Sequence, residues 1–327
     1  MKPSKIAMLF RSAVLAMAAT GSINAFAQEA KPWPQKAVRI VVPTAPGAPI
    51  DIIARLLQPK LQAQWGQPVV IENKPGAGGN IGMLEVARST DDHTLLGGPT
   101  SMNTVNPHIY KKIGMDPLKD VVPITYLAAF NSMLVCNAKL GIDSAAALVK
   151  RAKAEPMTYA SSGAGGPGHM ITEAFLNSAS IKMTHVPYRG PSPAALDIAS
   201  GQAQCGFIAT PVVLPLMKDG KLTALAVSGT VRSPLAPNVP TVDEALVPGF
   251  DATFFETLQA PRSMPPAVVA KINRDVVEIL KTPEMRAKLQ ELDLIFIGNT
   301  PAEAARRTNE DFVKWGNTAK TINLQLD

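Results

Sequence analysis

From Lys36 onward, short runs rich in Val and Ile alternate with helical segments, and the alternation starts again after the middle of the chain. "AVRIVVP" reads as a strand and "IDIIARLLQPKLQAQWG" as a helix, with Ile52, Ile53, Leu56, Leu57, Leu61 and Trp65 on one broad face. "PVVIENK" is a strand, "GGNIGMLEVARS" a helix and "HTLLGG" a third strand. In the second round "MTYASS", "KMTHVPYRG", "QAQCGFIA" and "LTALAVSG" are strands, with "GHMITEAFLNSA" and "SPAALDIASG" as helices among them. Strands joined through helices predict parallel sheets with right-handed crossovers. The tail returns to helices in "PAVVAKINRDVVEILK", "PEMRAKLQEL" and "PAEAARRTNEDFVKWGNTAK". The expected fold is α/β and two-lobed, each lobe an open, mainly parallel sheet flanked by helices. Pro59, inside the first helix, removes a hydrogen bond at a cost of roughly 3 kcal/mol and predicts a kink or break.

The first residues belong to a different kind of segment. Lys2, Lys5 and Arg11 precede a short apolar core, "SAVLAMAATG", and an A-x-A signature, Ala25-Phe26-Ala27. This is the pattern of a secretory signal cleaved after Ala27. The core falls short of the ~20 apolar residues that span a bilayer, so the expected product is an exported, periplasmic chain. Cleavage leaves 300 of the 327 residues and lowers the formal charge from +6 to +3. A chain of that length calls for two domains. Without a basic block interleaved with aromatics, nucleic acid is not an expected partner. The division expected is 1–27 signal, 28–126 first lobe, 127–252 second lobe and 253–327 a segment returning to the first.

Two cysteines cannot staple a scaffold of this size. Cys136 in "SMLVCN" and Cys205 in "QAQCGFIA" sit in apolar strands, where a thiol acts as a small hydrophobe. Free core thiols are the expectation; a bridge would need neighbouring strands with Cα atoms within about 7 Å.

Ligands of open α/β sheets bind at the carboxyl ends of strands, and clefts between domains are common sites. The loops there are "TAPGAPID", "NKPGAGGN", "GGPTSMN", "YASSGAGGPG" and "PYRGPSP". They are rich in Gly, Ser, Thr and Pro. His93, His108, His169 and His185 are scattered and give no metal motif, so neither a metal nor a cofactor is expected. Gly163, Gly165 and Gly168 spell a dinucleotide fingerprint, but the following strand ends in Tyr188 and Arg189 rather than the acid that holds a ribose. The residues before Ser162 do not make a G-x-S-x-G elbow. Backbone N–H groups and hydroxyls at helix N-termini suit an anion bound without chemistry. A nest of Ser161, Ser162, Gly163 and Gly165 around a carboxylate is the preferred reading; a bare glycine turn is the other.

"AVRIVVPTAPGAPIDIIARLL", "GQPVVIENKPGAGGNIG", "HTLLGGPTSMNTVNPHIY", "MDPLKDVVPITYLA", "MTYASSGAGGPGHM", "VPYRG" and "VPTVDEA" resemble, in the same order, the periplasmic solute receptors of tripartite tricarboxylate transporters, the Bug family. The resemblance runs from about Lys36 to the C-terminus. It implies a fold like the type II periplasmic binding proteins. It also implies a small organic acid held between the lobes, delivery to a large and a small membrane subunit, and no enzymatic activity. Carried over by position, the ligand-binding residues are Thr44, Ala45, Gly47, Ala48 and Asp51, then Thr100 and Ser101. The second lobe contributes Ser161, Ser162, Gly163, Gly165, Tyr188 and Arg189. Asp51 can equally act as the cap of the helix it begins, and Arg189 as a solvated strand-end residue. A monomer is expected, because capture between lobes needs no second subunit.

The chain departs from the family pattern at Ala48, which replaces a second glycine, and at Ile50, which replaces a hydroxyl residue. Gln204 and Ile208 stand where many relatives carry acids. An apolar Ile50 in the cleft and a shortage of free carboxylates predict an acid with no amine and a substantial apolar body. The competing functions are a receptor that signals to a sensor kinase and an exported hydrolase using Ser162.

Overall fold

The computed structural model describes residues 33–322 and 324–326. The expected export signal, residues 1–27 with its cleavage point at Ala27, lies outside the described residues.

The first round of the alternation forms β1 (Val38–Val42), α1 (Pro49–Trp65), β2 (Val69–Asn73), α2 (Asn80–Ala87) and β3 (Thr94–Pro99). Two helical turns, Ser101–Thr104 and Asn106–Ile109, lead into β4 (Val121–Phe130). The second round is β5 (Ser132–Asn137), α3 (Ala145–Ala154), β6 (Thr158–Ser161), α4 (Pro167–Ser178), β7 (Thr184–Pro187), α5 (Pro191–Ser200), β8 (Cys205–Ala209), α6 (Thr210–Lys218) and β9 (Leu222–Val227). The chain then returns through β10 (Phe254–Pro261), α7 (Pro266–Lys281), α8 (Pro283–Glu291), β11 (Leu294–Phe296) and α9 (Pro301–Ile322).

Two sheets result, ordered β11-β4-β10-β3-β1-β2 and β7-β6-β8-β5-β9. Most strands of each sheet point one way, as the alternation implies, but each sheet also holds a reversed strand in its interior. β10 is antiparallel to β3 and β4, and β5 is antiparallel to β8 and β9. Each is the first strand after the chain changes sheet. The chain passes from β4 to β5 without a helix, and from β9 to β10 through a long segment with only the short helical turn Val242–Ala245, so it enters each new sheet reversed. Local strand–helix periodicity carries no trace of this.

Helix α1 shows how sequence fixes position. Ile50, Ile53, Ala54, Leu57, Leu61 and Trp65 form its buried stripe, and Gly66 closes it in the left-handed conformation. The stripe is rotated from the expected one: Ile50 is 1% exposed in the core, whereas Ile52 and Leu56 are only partly covered. The predicted break at Pro59 is absent, because Pro59 and Arg55, whose carbonyl would have been its partner, both lie on the exposed face. On that face solvent can take the place of the lost partner, so the ring costs little.

The expectation of free thiols is also overturned. Cys136 and Cys205 are directly opposed across β5 and β8 with Cα atoms 4.0 Å apart, and they form a disulfide. Register decides the matter, since an antiparallel pair brings opposed side chains within bridging reach.

The two segments that pass between the sheets are tied to each other. Ser132 N donates to Ser228 Oγ at 3.0 Å, Ala252 N to Ser228 O at 2.9 Å, and Asn131 Nδ2 to Val231 O at 3.0 Å. Helix α9 runs beneath both lobes. Tyr126 Oη shares a 2.9 Å hydrogen bond with Thr308. Trp315 stacks on Phe254 and belongs to the same buried cluster as Tyr159, Phe175 and Phe207 of the second lobe.

Candidate functional site

Between the lobes the strand-end loops enclose two adjoining hollows, one on each side of the β1–α1 loop. The first, about 320 Å³, is bounded by Thr44, Gly78, Ser101, Asn106 and Tyr110 from the first lobe and by Ser162 to Pro167 from the second. The second, about 490 Å³, is mostly apolar, with Ala45, Ile52, Phe130, Val212 and Leu294 among its walls. No side chain lining either one carries a positive charge. Another hollow of about 490 Å³, beside Lys314 and Trp315, touches none of these loops.

The second hollow receives the N-termini of three helices. Ala48 and Pro49 begin α1, Pro191 and Ser192 begin α5, and Ala209 and Pro211 flank the start of α6. The N-cap residues Ala48, Gly190 and Ala209 make no side-chain cap. Such termini present free N–H groups and a partial positive charge. The first hollow has α4, whose cap Gly166 also lacks a side-chain bond. Four uncapped termini around a cleft without cationic side chains are an arrangement that can hold an anion by backbone.

The two main loops are fixed differently. Asp51, 2% exposed, accepts from Gly47 N and Asn73 Nδ2, both at 2.9 Å, and from Arg55 Nε at 3.0 Å. Burial pushes its carboxyl up, but the hydrogen bonds from Arg55, Gly47 and Asn73 outweigh that and hold it below the usual aspartate range. Asp51 thus sits behind the loop and shapes it.

The glycine loop of the second lobe rests on a neutral stack in which Tyr159 and His169 are buried and His185 is half-buried. His169 and His185 lie ring on ring, 3.9 Å between centroids, and Tyr159 stacks on His185 at 4.8 Å. His169 Nδ1 accepts from Gly165 N at 2.9 Å, and Ser161 Oγ is 2.7 Å from His185 Nε2. Tyr159 donates its hydroxyl proton to Glu173. Burial draws both imidazoles down to about 4, which leaves the Nδ1 lone pair of His169 free to accept. Gly163 (φ 139°) and Gly165 (φ 73°) have backbone conformations that suit glycine. A Cβ on Gly165 would come within 2.3 Å of Ile109 Cδ1 across the cleft.

Of the residues expected at the site, Thr44, Ser101, Ser162, Gly163 and Gly165 line the first hollow, and Ala45, Gly47 and Ala48 the second. Asp51, Thr100 and Ser161 are buried behind the loops. Tyr188 packs on the second lobe's core and Arg189 is exposed; neither lines a hollow of the cleft. Ile50, expected in the cleft, is turned into the core by the helix, and it is Ile52 that lines the apolar hollow. His185 bonds the sealed Ser161 rather than Ser162, so Ser162 gains no base from it. Sequence reasoning missed Asn106, Tyr110, Phe130 and Asn131. The first two lie in "VNPHIY", a motif recognised but given no role, and the other two sit where the chain changes sheet.

Two open α/β lobes around an anion-binding cleft define a solute-binding receptor, and comparison with known proteins places this one. Residues 53–324 match the model of TctC, the tripartite tricarboxylate transporter family receptor, and the chain belongs to that family. It is similar to protein BugT of Bordetella pertussis (strain Tohama I), at 30% identity over 298 residues, 90% of this chain and 91% of that one. Among solved structures it resembles Rpa4515 of R. palustris with adipate, with a TM-score of 0.78 at 32% identity, over 89% of this chain and 98% of the other. It also resembles MatC from Rhodopseudomonas palustris with bound malate, with a TM-score of 0.74 at 27% identity, over 88% of this chain and 100% of the other. No described helix is long and apolar enough to cross a membrane.

Proposed function

We propose that this chain is exported by its N-terminal signal, folds in the periplasm as a monomer and captures a small organic acid in the cleft. It hands the acid to the large and small membrane subunits of a tripartite tricarboxylate transporter and does no chemistry on it. The observation that carries this is a mostly apolar hollow ringed by three helix N-termini with no side-chain caps. Backbone N–H groups hold the carboxylate, and Ile52, Phe130 and Val212 cover an apolar body. Thr44, Ser101, Ser162 and Gly163 bound the adjoining polar end. The preferred ligand has no amine, because the cleft offers an ammonium little to pair with: Asp51 is already engaged by three donors, and the carboxyl of Asp293 is buried. Adipate, found with the relative Rpa4515, is such an acid.

Thermal denaturation against a panel tests this. At ~100 times its dissociation constant a ligand adds ~2.7 kcal/mol, which raises the melting temperature of a chain this long by roughly 5 °C. Adipate, hexanoate or benzoate should give such a shift; aspartate and glutamate should not. The reverse pattern would overturn the assignment of ligand class.

A further inference from the structure

Asp293 lies between α8 and β11, at the edge of the first sheet, yet its carboxyl is buried in the second lobe. It is 2% exposed, and its Oδ1 accepts from Ser233 Oγ at 2.5 Å. Ser233 in turn accepts from Leu235 N at 3.2 Å, which points its hydroxyl proton toward Asp293. This turn belongs to the second lobe, against whose core Ala236 and Val239 pack. The other carboxyl oxygen, Oδ2, has no hydrogen-bond partner, and neither has the hydroxyl of Thr210 beside the same carboxyl. Two buried oxygens thus lie in the same seam, beside the apolar hollow, with no hydrogen bond made by either.

An ionised carboxylate sealed in that seam has lost its water and gained one strong donor in return, which is costly. A proton on Oδ2 both removes the charge and supplies a donor for Thr210 Oγ. We propose that Asp293 is a closure residue: its carboxyl enters the Ser233–Thr210 niche as the lobes shut on the ligand, and it enters carrying a proton. This rests on the reading of the cleft as an organic-acid site that closes. Burial raises the Asp293 carboxyl above the usual aspartate range and outweighs the opposing pull of the nearby polar groups of Ser233, Thr210 and Leu235. No charged side chain is among the groups that shift it, and Arg232, next to Ser233, is engaged by Glu244 at 2.9 Å. In the open form the carboxyl returns to water and to its ordinary value, so closing takes up a proton and is favoured by acid.

Titration calorimetry with adipate across pH 4 to 8 tests the idea. The native dissociation constant should weaken as pH rises out of the ordinary aspartate range, by up to tenfold per unit, and level off above the raised value. Asp293→Asn keeps the acceptor for Ser233, carries an amide donor where the proton would be and tolerates the left-handed backbone at φ 59°. It should bind at least as tightly at high pH and show a flatter profile. Ionisation of adipate itself is common to both proteins and cancels in their ratio. Binding in two buffers of different ionisation enthalpy should show proton uptake by the native chain that Asp293→Asn lacks. Ser233→Ala, which removes the Oδ1 partner, should weaken adipate at every pH. Equal pH profiles and equal proton uptake in native protein and Asp293→Asn would overturn the closure role and leave the carboxylate receptor standing. No binding of adipate or any other panel acid would overturn both.

Discussion

Glu256 in the first lobe and the stacked histidines in the second are shifted by burial in opposite directions. In the first, Glu256 on β10 is 3% exposed, its Oε2 has no partner, and burial pushes its carboxyl up to about 8. In the second, burial pulls the stacked His169 and His185 down to about 4. Both groups are neutral inside, but the consequences for stability run in opposite directions. A raised acid costs nothing below the ordinary glutamate range, and its penalty grows as pH rises and is complete above about 8. A lowered imidazole costs nothing above its usual value near 6.5, and its penalty grows as pH falls and is complete below about 4. Glu256 therefore weakens the first lobe in base, and the His169–His185 stack weakens the second in acid. The second also carries a brace with no counterpart among the described residues of the first: its sheet is crossed by the Cys136–Cys205 disulfide.

Removing that brace should have the largest effect. The bridge spans a sequence separation of 69 residues. A loop of this length restrains the unfolded chain by about 4 kcal/mol in the chain-entropy model. Cys136→Ser with Cys205→Ser should lower the melting temperature by roughly 7 °C at neutral pH and, because the bridge changes no proton count, leave the shape of the acid profile unchanged. An unchanged melting temperature would remove the bridge from the comparison.

Glu256→Gln comes next. At pH 7 an acid held near 8 against 4.5 when unfolded costs about 3 kcal/mol, and an amide carries no such penalty. The variant should melt roughly 5 °C higher at pH 7 and converge with the native protein near pH 4. A constant offset at all pH values would mean that shape, not ionisation, separates the two.

His169→Asn probes the other lobe. The amide oxygen of Asn can take the place of Nδ1 and accept from Gly165 N, so the glycine loop keeps its anchor without a titrating ring. The native protein should lose about 2 kcal/mol between pH 6.5 and 4 through this histidine, discounted for its coupling to His185. The variant should lose correspondingly less. Parallel acid profiles would show that the stack does not govern the second lobe's acid sensitivity.

The fold was far more legible in the sequence than the cleft was. Strand–helix alternation located the strands of the second sheet and β1, β2 and β3 of the first, but not β4, β10 or β11, because side-chain period is a local property. The reversals of β5 and β10 were invisible, since direction is set by where the chain changes sheet. The Cys136–Cys205 bridge was missed for the same reason: it depends on register between strands 69 residues apart in sequence. The glycine-rich loops announced themselves through the φ values they need, and Thr44 to Ala48 and Ser162 to Gly165 do reach the cleft. Asp51 illustrates the limit. Its place at the head of a helix was plain, but only the structure shows Asn73 and Arg55 closing on it. Asp293 gave no signal at all, because its partners Ser233 and Thr210 come from the other lobe.

The smallest expected effect separates the binding face of α1 from its core face. Ile50 and Ile52 are two residues apart and chemically identical, but the helix turns about 200° between them. Ile50 meets Ile40 and Gly97 in the core, whereas Ile52 stands in the wall of the apolar hollow. Covering some 60 Å² of Ile52 with ligand is worth about 1.5 kcal/mol, a little more than tenfold in affinity. Ile52→Ser should therefore weaken hexanoate or adipate about tenfold and leave the melting temperature of the free protein within a degree or two. Ile50→Thr should do the opposite: it should cost about 2 kcal/mol of stability through a buried hydroxyl and a lost methyl, with the dissociation constant unchanged within twofold. If Ile50→Thr changed affinity and Ile52→Ser did not, the ligand would not lie against the apolar wall, and the polar hollow beside Ser162 would have to hold it alone.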